Sequence, residues 1–237
     1  HNVQDLENTA HLLLEDLGLS SFSTNSAGYL GSCRLNADNV LLTPEERQVA
    51  MATLLNLSRK YDGRISAAAG PLAEVRTWIR MEKARSREAP AFPGGGRLTG
   101  CGCHSSKIAV RADGVIIPCC ILPHIELGRI NSDSLVDVWQ HDPDLNKLRQ
   151  RHNISLTTFG FCDNCVYLPY CTGNCPGLAY ALTGKVDQPS PDGCLRCFLE
   201  KGGVLPEAWQ VDSEEEETNT RVQRAYWLPK PRATPIQ

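Results

Sequence analysis

Long apolar runs are missing from these 237 residues, so no segment is expected to cross a bilayer. Charge of one sign is missing too. The 24 Lys and Arg against 27 Asp and Glu leave a formal net charge of −3 at pH 7. That balance gives no electrostatic case for nucleic acid or for an acidic membrane surface as partner. No internal repeat is evident. The chain opens on His1 rather than Met, so a natural N-terminus upstream is expected and the lack of a signal peptide is uninformative. Cysteine, in contrast, is plentiful: there are 11, an odd number, some of them in C-x2-C pairs. In a non-secreted chain such spacing favours metal over disulfides, and a reducing cytoplasm is the expected setting. A hydrophobic content of 41% supports a packed core, and the length suits one large or two small domains.

The densest cysteine run is Cys162-x2-Cys165-x5-Cys171-x3-Cys175. Thiolates at short spacings of this kind hold iron–sulfur clusters. Disulfides explain the run poorly, because thiols two or three residues apart rarely pair without strain. The competing reading is a structural zinc, which also uses C-x2-C pairs. One tetrahedral zinc leaves six or more cysteines unexplained, whereas two cubane clusters use eight ligands. Upstream lies Cys101-x12-Gly114-x4-Cys119, and downstream lie Cys194 and Cys197. The Asp192-Gly193 turn makes Cys194 the better late ligand, with Cys197 in reserve. Cys33 reads as a small buried hydrophobe. His104 and His124 read as groups behind the ligands or on the surface.

Residues 1–96 read as alternating helix and strand. Asn2 is positioned to cap a helix with apolar Val3, Leu6, Ala10, Leu13, Leu14 and Leu17, stopped by Gly18. A short strand is expected over Leu19–Thr24. Thr43-Pro44-Glu45-Glu46 is a capping box with proline at the first helical position. Its helix should bury Ala50, Leu54, Leu57 and Tyr61 and end at Asp62-Gly63. Arg64–Ala69 reads as a second strand. Pro71 opens a helix with Val75, Trp78 and Ile79. This βα alternation suggests parallel strands covered by helices, an α/β class of fold.

Pro90–Gly96 is a linker by composition. Beyond it, Lys107–Arg111 and Val115–Pro118 flank Asp113-Gly114, a strong signal for a tight hairpin turn that delivers Cys119 at a strand end. Ser134-x-x-Asp137 caps a helix toward Trp139, and Pro143 opens another through Leu148. Glu214–Glu217 reads as part of a solvated C-terminal tail.

The ordered cysteines, C-x12-G-x4-C, then C-x2-C-x5-C-x3-C, then one more, resemble the SPASM domain, the C-terminal extension of many radical S-adenosylmethionine enzymes. Val110–Cys119, Leu127–Ile130 and Ser134–Trp139 each look like their counterparts in that family. The resemblance is specific over residues 97–202 and weaker over 1–96. It implies three parts. Residues 1–96 would be the late βα units of a partial (β/α) barrel. Residues 97–202 would be a SPASM auxiliary domain with a β-hairpin and short helices. Residues 203–237 would be a tail. A full barrel takes roughly 250 residues, so most of one is missing.

The resemblance also implies two auxiliary 4Fe–4S clusters with interleaved ligands. Cys101, Cys119 and Cys175 would serve the first, and Cys162, Cys165, Cys171 and Cys194 the second. Cys103 is the near candidate for a fourth ligand of the first cluster; without it, one iron stays open to substrate. The sulfatase-maturing branch has an aspartate after the hairpin cysteine, where this chain has Cys120. Cys120 is therefore either a packed thiol beside the cluster or a catalytic acid/base or hydrogen-atom source.

The C-x3-C-x2-C motif that holds the catalytic cluster of radical S-adenosylmethionine enzymes does not occur in these residues, nor do the glycine-rich S-adenosylmethionine segments. Either the chain is a stand-alone protein that has lost the radical half or, the preferred reading, the resemblance implies an N-terminal half bearing S-adenosylmethionine and a third 4Fe–4S cluster. The expected whole is an oxidoreductase that modifies a peptide or protein, with ferredoxin or flavodoxin as reductant. A non-enzymatic iron–sulfur electron carrier or scaffold, and a maturase of a small molecule or tetrapyrrole, stay open as alternatives.

Overall fold

The N-terminal residues coil continuously with changing pitch: a 3₁₀ turn at Val3–Asp5, helix α1 (Leu6–His11) and a π turn at Leu12–Asp16. Asn2 sits at the start of this coil, but its side chain makes no cap; its carbonyl accepts from Asp5 N–H at 3.0 Å. Val3, Ala10 and Leu14 are buried, whereas Leu17 is left exposed. The computed structural model describes residues 2–206, and the residues up to Pro206 form one compact unit. The Glu214–Glu217 run and the tail beyond Pro206 lie outside the described residues.

Strand β1 (Phe22–Ser23) pairs in parallel with β2 (Ile65–Ser66), Phe22 opposite Ile65. Both are shorter than the sequence pattern suggests. Two short helices intervene, α2 (Ser32–Leu35) and α3 (Ala37–Val40), which carry no strong periodic signal. Cys33 lies on α2 and is half-buried rather than buried. The crossover itself is α4 (Pro44–Lys60). Thr43 Oγ1 accepts from Glu46 N–H, and Glu46 accepts from Thr43 N–H, closing the expected capping box. The face carrying Ala50, Leu54, Leu57 and Tyr61 is buried as anticipated. Helix α5 (Pro71–Ser86) follows β2 and buries Leu72, Val75 and Trp78. The result is one βαβ unit with a further helix against it. A second pair of βα units is not present among the described residues.

The cysteine-rich half begins with α6 (Cys103–Ser106) and a three-stranded antiparallel sheet: β3 (Ala109–Val110), β4 (Val115–Ile117) and β5 (Gly128–Arg129), in the order β3-β4-β5. The hairpin turn differs from a two-residue loop. Arg111 N–H donates to Val115 C=O, and Gly114 N–H donates to Arg111 C=O. Ala112, Asp113 and Gly114 thus form a three-residue loop, with Gly114 left-handed at φ +85°. Helices α7 (Leu135–His141) and α8 (Pro143–Arg149) cover the sheet. Ser134 Oγ caps α7 by accepting from Asp137 N–H, and Asp142 Oδ1 caps α8 by accepting from Leu145 N–H. Ile116, Leu127, Val138 and Leu145 make the core between them, edged by Trp139. Helices α9 (Pro176–Thr183) and α10 (Leu195–Glu200) complete the described chain.

Candidate metal centres

The loop from Phe159 to Cys175 advances by 3₁₀ turns, at Gly160–Cys162 and Leu168–Tyr170. Cys162 closes the first turn, and Cys171 follows the second. Cys162, Cys165, Cys171 and Cys194 line one pocket, whose other walls include Leu156, Phe161 and Leu168. Burial pushes the Cys162 thiol up to about 11, and the neighbouring Cys171, Cys194 and Cys165 push the same way. Burial likewise lifts Cys171 to about 11, although Gly173 N–H donates to its sulfur at 3.4 Å.

A second group of thiols gathers elsewhere. Cys103 donates to the Cys101 sulfur and also feels Cys119 and Cys175. The hydrogen bond from Cys103 pulls the exposed Cys101 down to about 6, while Cys103, buried and donating, keeps its proton far more firmly. Cys101 holds φ at +71°, a left-handed conformation uncommon for a side-chain-bearing residue. Cys175 occupies the N-cap of α9, where the N–H groups of Gly177 and Leu178 lower its pKa; burial outweighs them and raises it.

Close backbone approach assembles this group. A Cβ on Gly100 would meet Asn174 C=O at 2.6 Å, so only glycine lets the chain before Cys101 lie against the chain before Cys175. A Cβ on Gly177 would meet Ile121 Cγ2 at 2.4 Å, so α9 rests directly on the turn that carries Cys119.

The N-terminal helices anchor the other group. Arg47 of α4 donates through Nη1 to Asp192 C=O at 2.9 Å and through Nη2 to Asp192 Oδ1 at 3.1 Å, two residues before Cys194. Trp78 of α5 packs on Phe198 of α10, with ring centroids 4.9 Å apart. Tyr167 and Tyr170, between Cys165 and Cys171, donate to Glu82 and to the carbonyls of Ala84, in the last turn of α5, and Ala89, just beyond it.

Iron–sulfur clusters suit both groups on the chemistry of their donors. Among the described residues, no three His, Cys, Asp or Glu side chains converge tightly enough to hold a single metal ion. A mononuclear zinc needs its sulfurs about 2.3 Å from one point. A cubane presents four separate irons, so thiols that ring a pocket, as Cys162, Cys165, Cys171 and Cys194 do, match its demand better. Beside the other group, Arg151 is 1% exposed and its Nε has no hydrogen-bond partner. A buried cation left so poorly served fits a site built to hold negative charge.

Residues 101–166 match the family model of the SPASM iron–sulfur cluster-binding domain. This match supports a radical S-adenosylmethionine/SPASM-type protein. No curated protein and no solved structure matches the chain. The SPASM match contains six cysteines, Cys120 and the five candidate ligands Cys101, Cys103, Cys119, Cys162 and Cys165. Cys171, Cys175 and Cys194 lie beyond it, and the fold brings them back to join those five.

Other cysteines and histidines fall around the two groups. Cys197 is half-buried beside Cys194 and does not line the pocket; burial first, then Cys194, lifts it to about 12. Cys120 is exposed, with its thiol beside Cys119. His104 is buried on α6 with Nδ1 unpartnered, and burial lowers its pKa. His124 is exposed and stacks on Tyr180 at 3.8 Å. Arg47, Glu82, Arg151 and Gly177 were not legible as parts of the site. Their spacing carries no motif, and their roles arise only from contacts across the chain.

Proposed function

We propose that this chain carries the two auxiliary clusters of a radical S-adenosylmethionine/SPASM enzyme that modifies a peptide or protein. The observation behind this reading is the division of eight thiols into two groups, each drawing on distant parts of the sequence. Cys101, Cys103, Cys119 and Cys175 would ligate one 4Fe–4S cluster. Cys162, Cys165, Cys171 and Cys194 would ligate the other. Such clusters supply one-electron chemistry at potentials set by ligation, hydrogen bonding and exposure. The protein's part is to fix the sulfurs and exclude water: the second group's pocket is walled mostly by apolar side chains. Cys103 in the first group favours a fully ligated cluster, one that takes up an electron rather than binding substrate at an open iron.

Residues 1–96 fit the late part of a (β/α) barrel, supported by the parallel β1–β2 pair with α4 as crossover. Both strands are very short, and Leu12, Leu19, Leu35 and Val40 around them are exposed. Further strands bearing the S-adenosylmethionine site and its own cluster would extend that sheet. Exposed Cys120, beside Cys119, is the candidate to meet the substrate radical. A ferredoxin or flavodoxin would serve as reductant.

Anaerobic reconstitution of the chain tests the core of this reading. About eight irons and about eight acid-labile sulfides per chain are expected. One or two zincs without sulfide would overturn it. With dithionite and S-adenosylmethionine, the 237-residue chain by itself should form no 5′-deoxyadenosine, because it has no C-x3-C-x2-C ligand set.

A further inference from the structure

Arg151 sits on the 3₁₀ turn Gln150–Asn153 that follows α8, and its side chain runs inward. A guanidinium carries five N–H donors. Here Nη1 reaches Gly100 C=O and Nη2 reaches Gln188 C=O, each at 3.5 Å, the outer limit of a hydrogen bond, and Nε reaches nothing. Arginine is almost never fully buried unless it is paired. The groups whose ionised forms would favour its charge are the thiols of Cys175, Cys103 and Cys101 and, after them, the Asp187 carboxylate. Gly100, which Arg151 touches, is the residue before Cys101.

Arg196, beside the second thiol group, is in a different position. It donates to the carbonyls of Asp163 and Phe161 and pairs with Glu200 at 3.4 Å, and its side chain is 25% exposed. Its Nε, like that of Arg151, has no hydrogen-bond partner, but its charge is answered by the Glu200 carboxylate and by solvent. The charge of Arg151 is not.

We propose that Arg151 is the buried counter-cation of the cluster held by Cys101, Cys103, Cys119 and Cys175, and that it raises that cluster's reduction potential. The inference rests on the two-cluster reading. A 4Fe–4S core with four thiolates carries a net charge of about −2 when oxidised and about −3 after gaining one electron. A fixed positive charge favours the second state over the first. The low-dielectric surroundings make the effect large, and no proton need move, since arginine stays charged. Arg151 does not ligate; it positions charge, and through Gly100 and Gln188 it also ties together two loops that frame the group.

The test is a dithionite titration of the reconstituted chain, followed by electron paramagnetic resonance, on wild type, Arg151→Met and Arg151→Lys. Cys119→Ala marks which of the two signals belongs to the first cluster. Arg151→Met is expected to make the reduction equilibrium of that signal at least tenfold less favourable, about 59 mV lower for one electron, and to leave the other signal in place. Arg151→Lys should keep a potential close to wild type. Unchanged potentials in Arg151→Met, or equal shifts in the Met and Lys variants, would overturn the proposal. If Arg151→Met binds no first cluster, Arg151→Lys decides: a retained cluster at near-native potential supports the role, and its loss rejects it. Iron and sulfide counts on the wild type test the two-cluster reading separately, so the two ideas fail in different measurements.

Discussion

The Tyr167 hydroxyl donates to Glu82 Oε2 at 2.7 Å, joining the loop between Cys165 and Cys171 to the last turns of α5. Both side chains are largely buried, and Arg85 Nε donates to the same carboxylate oxygen at 2.8 Å. That hydrogen bond from Arg85 chiefly holds Glu82 below the usual carboxylate range. Burial, then Glu82, lifts Tyr167 to about 12, so the hydroxyl remains a donor throughout the neutral range. A helix of the N-terminal part thereby holds the loop that runs from Cys165 to Cys171.

Tyr167→Phe should consequently weaken the second thiol group from a distance. A hydrogen bond to a charged partner contributes roughly 1.5–3 kcal/mol. The expected result is a melting point lower by several degrees and loss of iron from the second cluster ahead of the first. An unaltered melting point and full iron content would show that the contact does not hold the loop.

Gly177→Ala should act on the first group. The added Cβ would lie 2.4 Å from Ile121 Cγ2, so α9 must move away from the turn that follows Cys119, widening the gap between Cys175 and Cys119. About four irons per chain should remain after reconstitution, all with the spectrum of the second cluster. Retention of both clusters would mean the turn gives way at little cost.

The interleaving of ligands has its own test. Cys119→Ala should remove only the first cluster, whereas Cys165→Ala and Cys194→Ala should each remove chiefly the second. Cys197→Ala should keep both, since Cys197 stands outside the pocket. Iron counting with electron paramagnetic resonance on these single variants distinguishes the outcomes. Should Cys194→Ala keep both clusters and Cys194→Ala/Cys197→Ala lose one, Cys197 can substitute. Retention of both by the double variant would mean that the compact run from Cys162 to Cys175 closes a cluster alone.

Stability should depend on pH through Glu74. Burial lifts this carboxyl to about 7; Arg47, 3.7 Å away, opposes the lift and Asp192 adds to it. A folded-state pKa above the ordinary 4.5 means that the native state prefers the protonated form. The stability so contributed is complete below about pH 4.5 and is lost as pH rises through about 7, a change of roughly 3 kcal/mol at most. Glu74→Gln should therefore melt several degrees above wild type at pH 8 and within a degree or two of it at pH 5. The same difference at both pH values would exclude a buried carboxylate as the cause.

Local rules were legible in the sequence. The Thr43–Glu46 box, the Ser134 cap, the proline-led helices and the hairpin at Asp113-Gly114 all involve residues about three positions apart, so spacing alone specifies them. The type of chemistry was legible for the same reason, because the short intervals between Cys162 and Cys175 restrict what thiolates can bind. The sorting of those thiols was not legible from spacing. Cys175 sits four residues after Cys171 yet joins the group of Cys101, while Cys194 joins Cys171. That exchange depends on contacts such as Arg47 to Asp192, 145 residues apart, and on the absence of a side chain where Gly177 meets Ile121. The burial of Arg151 likewise has no local signature, since a charged residue after an amphipathic helix ordinarily faces water. Spacing determined that this chain clusters thiols at intervals suited to metal; packing between distant segments decided which thiols lie together and which charge lies beside them.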